Sequence, residues 1–334
     1  MSTATPGFRH LIRLSDDTGL FEHARHALVR RQHGYCTDDV ARGLVVATRE
    51  PRPAHRLTRL AESYLAFLTH AQDRSGAFHN RLSFDRRWDD QPGVGDWWGR
   101  AMWGLGTAAA RSPVPWIRDE ALLAFTAGAE QRSPHPRAMA FAGLGAAEVL
   151  RADSDSSVAA GLLMDAAEAI GAPSENPSWP WPQPRLTYAN AALAEVLIAV
   201  GELSDDRLRL ATGLRMLTWL WDVQTRHGRL AVVPAAGWRL DAPRPRFDQQ
   251  PIEVAALADA CATAARVSGD QAWQERVRRS VAWFQGANDA DALMWDPATG
   301  GGYDGLTEHG PNLNQGAEST IALISTMQHA RRLP

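Results

Sequence analysis

The sequence predicts an all-α protein, a single (α/α)6 toroid or barrel of helical hairpins over residues 1–334 with short β-like hairpins in its loops. Three observations predict it. Apolar residues recur at helical spacing almost throughout, with few alternating β-branched runs. Segments apolar on most faces alternate with amphipathic ones, as stacked hairpins require. Glycine-marked turns follow three of the amphipathic segments. No Pro/Gly/Ser linker divides the chain, so one domain is expected.

The elements follow in order. The apolar segments, rich in Ala, Gly and Leu, are residues 38–48, 96–110, 136–150, 187–200, 251–267 and 315–327. Helices apolar nearly all round are buried helices, so these form the inner set. Residues 56–72, 116–131, 158–170, 206–224 and 271–285 carry arginine and acidic residues on one face and form the outer set. Six inner and five outer helices leave one place empty, because the chain ends after the sixth inner helix. Residues 18–29 are expected to supply the twelfth helix and so close the ring from the N-terminus. The turns at 75–78, 227–230 and 301–304 each lead from an outer helix toward the next inner one.

Composition removes several chemistries. All 35 basic residues are arginine. Without lysine there is no internal aldimine, no Schiff-base aldolase, no complete phosphate loop and no kinase strand lysine. The formal charge is −3 and the arginines are scattered, so no nucleic-acid footprint is expected. Cys36 and Cys261 share no C-x-x-C spacing, which argues against a disulfide scaffold or a cysteine-rich zinc site. The N-terminus lacks the apolar core of a signal peptide, and no run of about 18 apolar residues could span a bilayer. A cytoplasmic protein without cofactor is the expectation.

Parallel inner helices would open their N-terminal ends on one rim, and polar residues gather there. The first opens with His33-Gly34-Tyr35-Cys36-Thr37-Asp38-Asp39-Val40-Ala41-Arg42. Helix capping explains one of its acids, whereas two adjacent acids point in different directions. The second opens with Asp96-Trp97-Trp98-Gly99-Arg100-Ala101-Met102-Trp103. Indoles beside an acid and an arginine suit a sugar, whose apolar faces stack and whose hydroxyls need charged partners. The fourth is led in by Trp179-Pro180-Trp181-Pro182-Gln183 and reaches Tyr188 and Asn190. The fifth opens at Gln250-Pro251-Ile252-Glu253 and the sixth at Asn314-Gln315-Gly316-Ala317-Glu318. Glu253 and Glu318 stand on otherwise apolar helices, where an unpaired carboxylate is costly. They are read as catalytic acids or as buried ion-pair partners of Arg42 or Arg100.

Competing motifs are weaker. His23, His26 and His33 lie close in sequence, but H-E-x-x-H is absent and no metal is expected. Cys36 has no partnered His/Asn signature, and Gly-x-Ser-x-Gly is missing, so nucleophilic Cys or Ser catalysis has no anchor.

The sequence resembles a family of bacterial glycosyltransferase-associated (α/α)-barrel proteins of the six-hairpin glycosidase-like superfamily. The matching stretches are His33 to Arg42, Trp179 to Asn190, Asp248 to Glu253 and Asn314 to Thr320, spread over nearly the whole chain. Asp96-Trp97-Trp98-Gly99-Arg100 is also similar to the W-x-R-G-x-x-W helix start of six-hairpin glycosidases such as unsaturated glucuronyl hydrolases, with the second glycine missing. The family pattern favours an acid after the second tryptophan of the W-x-W stretch, where this chain has Pro182 and Gln183. The resemblance implies the barrel fold and a carbohydrate context, with functional association to a glycosyltransferase.

The reading that follows is a glycoside hydrolase acting on a neutral oligosaccharide. Such cleavage generally uses two carboxyl groups across the bond, and inversion is expected by resemblance to six-hairpin glycosidases. The candidates are Asp38, Asp39, Asp96, Glu253 and Glu318, with Asp39 or Asp96 as one partner and Glu318 as the other. Trp97, Trp98, Trp179 and Trp181 are the expected sugar platforms. Tyr35, Arg100, Tyr188, Asn190, Gln250 and Asn314 are the expected hydroxyl contacts. The rival is a noncatalytic glycan-binding protein beside a glycosyltransferase. Sugar epimerisation would require a histidine pair, for which His33 and His135 are nearest, and a carbohydrate phosphorylase would need a basic phosphate pocket.

Overall fold

A computed structural model describes residues 7–333. Among them are twelve α-helices and eight short strands of two or three residues, and the latter pair antiparallel in twos. No helix of the described residues is long and apolar enough to cross a membrane. The chain divides into two compact units, His10–Ile170 and a second that runs from Gly171 and takes in Arg9.

The first unit holds α2 (Thr37–Thr48), α3 (His55–Ala71), α4 (Asp96–Arg111), α5 (Pro115–Gly128), α6 (Pro136–Ala152) and α7 (Ser157–Ile170). Helices α2, α4 and α6 pack side by side, with α3, α5 and α7 laid on them in turn. Burial follows the sequence pattern. Every residue of α6 from Arg137 to Leu150 is buried. In α5 only Ile117, Ala121, Ala124, Phe125 and Gly128 are, one stripe of an amphipathic helix.

Small residues set how closely the inner helices approach. A Cβ on Gly99 would meet the Ala138 carbonyl oxygen at 2.1 Å, and one on Gly106 would meet that of Gly145 at 2.3 Å. The two contacts advance in step along α4 and α6, so these helices run parallel. On its other side α4 meets α2, where a Cβ on Gly104 would lie 2.8 Å from the Ala41 carbonyl oxygen. The N-terminal ends of all three helices therefore share one end of the unit.

The second unit repeats the plan with α8 (Ala191–Leu203), α9 (Arg207–Val223), α10 (Pro251–Ser268), α11 (Gln271–Phe284) and α12 (Ala317–Ala330). Helix α10 lies between α8 and α12, α9 packs on α8, and α11 packs on α10 and α12. Asn190 at the start of α8 bonds Glu253 in the first turn of α10, and Ser325 of α12 donates to Asp259 of α10 at 3.1 Å. Helices α8 and α10 are parallel, since the Asn190–Glu253 contact is followed by one between Glu195 and Thr263 farther along both. Asp206 caps α9 by accepting from the Leu208 and Arg209 amides, and Gly269, at φ 71°, ends α10 in the left-handed conformation.

All eleven helices read from the pattern are present within a few residues of their expected bounds. Residues 18–29 are not a helix. They fold into a hairpin of β1 (Ala24–Arg25) and β2 (Leu28–Val29), turned by His26 at φ 50°. The segment is held there because Phe21 bridges Tyr35 and stacks on its ring at 4.6 Å. A single turn, α1 (Arg9–Arg13), precedes it. The fourth inner helix starts at Ala191 rather than 187, since Ala189 sits at φ 46° and the Thr187 amide donates to Asn190 Oδ1. Of the glycine turns, 227–230 belongs to the hairpin of β5 (Thr225–Arg226) and β6 (Arg229–Leu230). The 301–304 turn leads into β7 (Gly305–Thr307) and β8 (Gly310–Asn312). At 75–78 there is a turn whose Phe78 makes single bridges to Gln72 and Gly93.

Candidate active site

In the first unit the sequence places two acids in the first turn of α2 and one at the start of α4, and the parallel packing brings them to the same rim. Asp39 is buried and Asp38 half-buried. Arg42, one turn on, reaches back to Asp38 Oδ1 at 2.8 Å and Asp39 Oδ1 at 2.6 Å. Arg100 of α4 approaches Asp38 Oδ2 with its Nε at 3.0 Å and lies 4.1 Å above the Phe141 ring of α6. Each Asp38 oxygen thus faces one guanidinium. Stacking and charge together fix Arg100, which is 2% exposed.

Asp96 is different. It is half-buried, and among the described residues no hydrogen bond or ion pair reaches its carboxylate. Burial raises its pKa above the ordinary carboxylate value; Arg100 pulls it down, Asp38 pushes it up, and Arg137 and His135 pull it down, leaving a net rise. A carboxyl that holds its proton longer than its neighbours, at an accessible helix start, can act as a proton donor. His135 stands exposed at the N-cap of α6, with Arg137 buried two residues on in the first turn.

Tyr35 and Cys36 form β3 (Tyr35–Cys36), which pairs with β4 (Arg81–Leu82) just ahead of α2. Tyr35 is buried and donates its hydroxyl to Asp16 Oδ2 at 2.7 Å, so its polar end is spent within the protein. Burial and that bond push its pKa up. Glu22, Cys36 Sγ and Asp39 offer ligand atoms within 4.8 Å of one another. Arg81 already pairs with Glu22 and Arg42 with Asp39, while burial and the nearby Asp39 and Asp38 hold the thiol protonated well above its usual range. A cation placed here would have to displace Arg81 from Glu22 and Arg42 from Asp39.

In the second unit Glu253 accepts from the Asn190 amide at 3.0 Å, Asn190 Nδ2 at 3.0 Å and Gln224 Nε2 at 2.8 Å. It is 1% exposed and ties together the starts of α8 and α10 and the end of α9. Gln224 Oε1 in turn accepts from Val233. Asn190 is fully engaged in this hub. Gln250, at the N-cap of α10, is half-buried with no hydrogen bond to its side chain among the described residues. Tyr188, Asn314 and Glu318 are half-buried at the starts of α8 and α12. Asp304 Oδ1 accepts from the Gly316 amide at 2.7 Å and Ser319 Oγ at 2.6 Å, capping α12 from outside. Gln224 and Asp304 lie outside the residues singled out from the sequence. Neither has a local signal, since each acts on an element far along the chain.

The indoles are mostly packing groups. Trp98 is fully buried and donates to the Gly128 carbonyl at 3.2 Å. Trp97 is half-buried, donates to the Phe78 carbonyl at 2.7 Å and rests on Gly93 and Gly95. Trp179 and Trp181, 5% and 1% exposed, pack on Trp219 of outer helix α9, with Trp238 completing the cluster. As open sugar platforms, Trp98 and Trp181 are corrected by this burial.

The chain resembles solved structures over nearly its full length. Cellobiose 2-epimerase from Bacillus thermoamylovorans aligns at TM-score 0.71 and 11% identity, covering 97% of this chain and 95% of that one. A D-mannose isomerase aligns at 0.69 and 12% identity, covering 98% and 95%. An inactive variant of an α-1,6-mannanase from Salegentibacter sp., in complex with α-1,6-mannotetrose, aligns at 0.65 and 7%, covering 96% and 95%. No family model and no curated relative matches the sequence. The fold is therefore all-α, of the (α/α)6 class that these structures share.

Proposed function

We propose that this chain is a glycoside hydrolase-like enzyme acting on a neutral oligosaccharide, with Asp96 as the proton-transferring carboxyl and Asp38 as its charged partner. The observation that carries the reading is the contrast between two neighbouring carboxyls. Asp38 faces two guanidiniums, whereas the Asp96 carboxyl has no hydrogen bond or ion pair among the described residues and a raised pKa. Environments that drive two acids apart assign one to donate a proton and the other to carry charge. In this scheme Asp96 protonates the glycosidic oxygen as its bond to the anomeric carbon breaks. Asp38 stabilises the positive charge developing there and orients the attacking water, whose proton leaves to solvent. An α-1,6-mannanase of similar fold is inactive when two adjacent aspartates are replaced, and this chain carries adjacent aspartates at Asp38 and Asp39. Asp39 holds Arg42, and Glu253 positions the rim of the second unit.

Release of reducing ends from a panel of manno-, gluco- and galacto-oligosaccharides tests the proposal. Asp96→Asn is expected to lower kcat by about 10²–10⁴. Glu318→Gln is the companion variant, and an equal loss there would bring the α12 rim into the chemistry. Unchanged turnover in Asp96→Asn, or sugar binding without turnover at any pH, would sink the proposal.

A second reading, sugar epimerisation, draws on His135, which is near enough to Asp96 to influence its charge, and on the epimerases that share the fold. Incubating reducing disaccharides in D2O separates the two. Deuterium entering at C2 without cleavage would favour epimerisation, and new reducing ends would favour hydrolysis. The association with a glycosyltransferase is tested by co-purification from the native host.

A further inference from the structure

We infer that a groove between the lead-in loops of α8 and α10 is a second carbohydrate-binding site, one that holds a sugar unit of a neutral oligosaccharide through Asn176 and the Arg239–Asp241 pair. The inference rests on the proposed carbohydrate function and names a site that function does not use. The groove measures about 420 Å³, within the range of ligand clefts and roomy enough for a sugar unit.

The two loops that form it are fastened to each other. Leu186 and Trp238 exchange backbone hydrogen bonds at 2.8 and 2.9 Å. Gly237, at φ 71°, turns the chain so tightly that a Cβ would lie 2.5 Å from the Leu186 carbonyl oxygen. Trp179 sits edge-on to Trp238 at 5.1 Å and directs its Nε1 to the Gln183 carbonyl at 2.7 Å, which fixes the floor. Farther along the second loop Arg244 donates to the Val223 and Ala231 carbonyls; burial pushes its pKa down to about 10, with Arg226 acting the same way and Asp289 opposing. A loop anchored at both ends gives the groove a settled shape before any ligand arrives.

The lining has the chemistry of sugar recognition. Pro184 and the exposed Leu240 supply apolar surface for the C–H face of a pyranose, over a floor of largely buried Trp179. Arg239 and Asp241 form a bidentate pair, Nε to Oδ1 and Nη2 to Oδ2, both at 3.1 Å, that offers donors and an acceptor side by side. Asn176 accepts the Ser178 amide through Oδ1 at 2.9 Å, while its Nδ2 has no protein partner among the described residues. Paired donors and acceptors at fixed spacing match vicinal hydroxyls, and the balanced charge of the pair favours a neutral ligand over an anionic one.

The test is calorimetric binding of manno-, gluco- and galacto-oligosaccharide ladders of one to five units to the full chain. Wild type is expected to gain affinity with chain length. Arg239→Ala and Asn176→Ala are each expected to weaken the longer ligands about tenfold, the loss of roughly one charge-assisted or neutral hydrogen bond, and to leave the shortest bound ligand unchanged. Both residues are exposed, so the variants should fold normally, and circular dichroism checks this. Length-independent binding, or variants indistinguishable from wild type on a ladder that does bind, overturns the second site and leaves the proposed function standing. Failure of every ladder to bind wild type overturns both.

Discussion

Arg100 Nε lies 3.0 Å from Asp38 Oδ2, a contact that joins the second inner helix to the first across the candidate rim. The guanidinium cannot swing away, because the Phe141 ring beneath it, 4.1 Å off, belongs to the third. One arginine thus gauges the spacing of three helix starts, and its charge is felt by Asp38 and Asp96 together.

Replacing it should be read in the pH profile. Burial raises the Asp96 pKa and Arg100 opposes that rise more than any other neighbour. Removing the cation in Arg100→Met lets the pKa climb further, so Asp96 keeps its proton to higher pH. If Asp96 must be protonated to act, the basic limb of kcat/KM moves upward while the maximal rate falls, since Asp38 loses one of its partners. A basic limb that stays in place, or moves downward, would remove Asp96 from the titration.

A glycine pair offers a test of packing alone. A Cβ at Gly106 would stand 2.3 Å from the Gly145 carbonyl oxygen, backbone against backbone with no side chain able to yield. Gly106→Ala should therefore cost about 1–3 kcal/mol by prying α4 from α6. Gly161, on the outer face of α7, has nothing within 4 Å of the same added atom. Gly161→Ala should stabilise by about 0.5–1 kcal/mol, because a helix interior favours alanine. Urea midpoints of the two variants should move in opposite directions.

The helices were legible because burial and periodicity are local. Fourteen consecutive residues of α6, Arg137 to Leu150, are buried, and apart from Arg137 and Glu148 that stretch is apolar or glycine. Asp38, Asp39, Asp96 and Arg100 could be placed on one rim from their positions at helix starts alone. What failed depended on partners distant in sequence. Residues 18–29 carry helix-like spacing, yet the ring of Tyr35 decides their fate by stacking on Phe21. Trp179 and Trp181 look like exposed platforms behind their prolines until Trp219 of an outer helix and Trp238 of a later loop cover them. A carboxylate on an apolar helix demands company, but nothing near Glu253 in sequence says that the company includes Asn190 and Gln224.

That hub yields a prediction that separates support from chemistry. Glu253 accepts three N–H groups on its two oxygens. Glu253→Gln turns one acceptor into a donor facing donors and should cost about 2–4 kcal/mol, measured by urea unfolding. Under the proposed function, the folded variant should retain kcat within a few fold. A thousandfold loss of turnover at unchanged stability would make Glu253 a reacting carboxyl instead.

The opposite ends of the first unit's inner helices carry a second buried acid whose role is structural, and pH exposes it. Glu148, near the end of α6, is pushed up by burial, but Arg111, through its charge and two hydrogen bonds, outweighs that, and Arg151 and Arg49 add to the effect, so its pKa falls below the ordinary value of 4.5. A depressed carboxyl binds protons less readily in the folded than in the unfolded chain. Its contribution is complete above the ordinary value and drains away as pH drops through the lowered one. Breaking a buried pair costs about 3–5 kcal/mol, and the low end applies here because Arg111 keeps 36% of its side chain in solvent. Glu148→Gln should lower Tm clearly at pH 7 and progressively less as pH falls through the lowered pKa, where the wild-type glutamate is itself being protonated. A difference in Tm that stays the same as pH falls would mean the substitution acts through shape rather than charge.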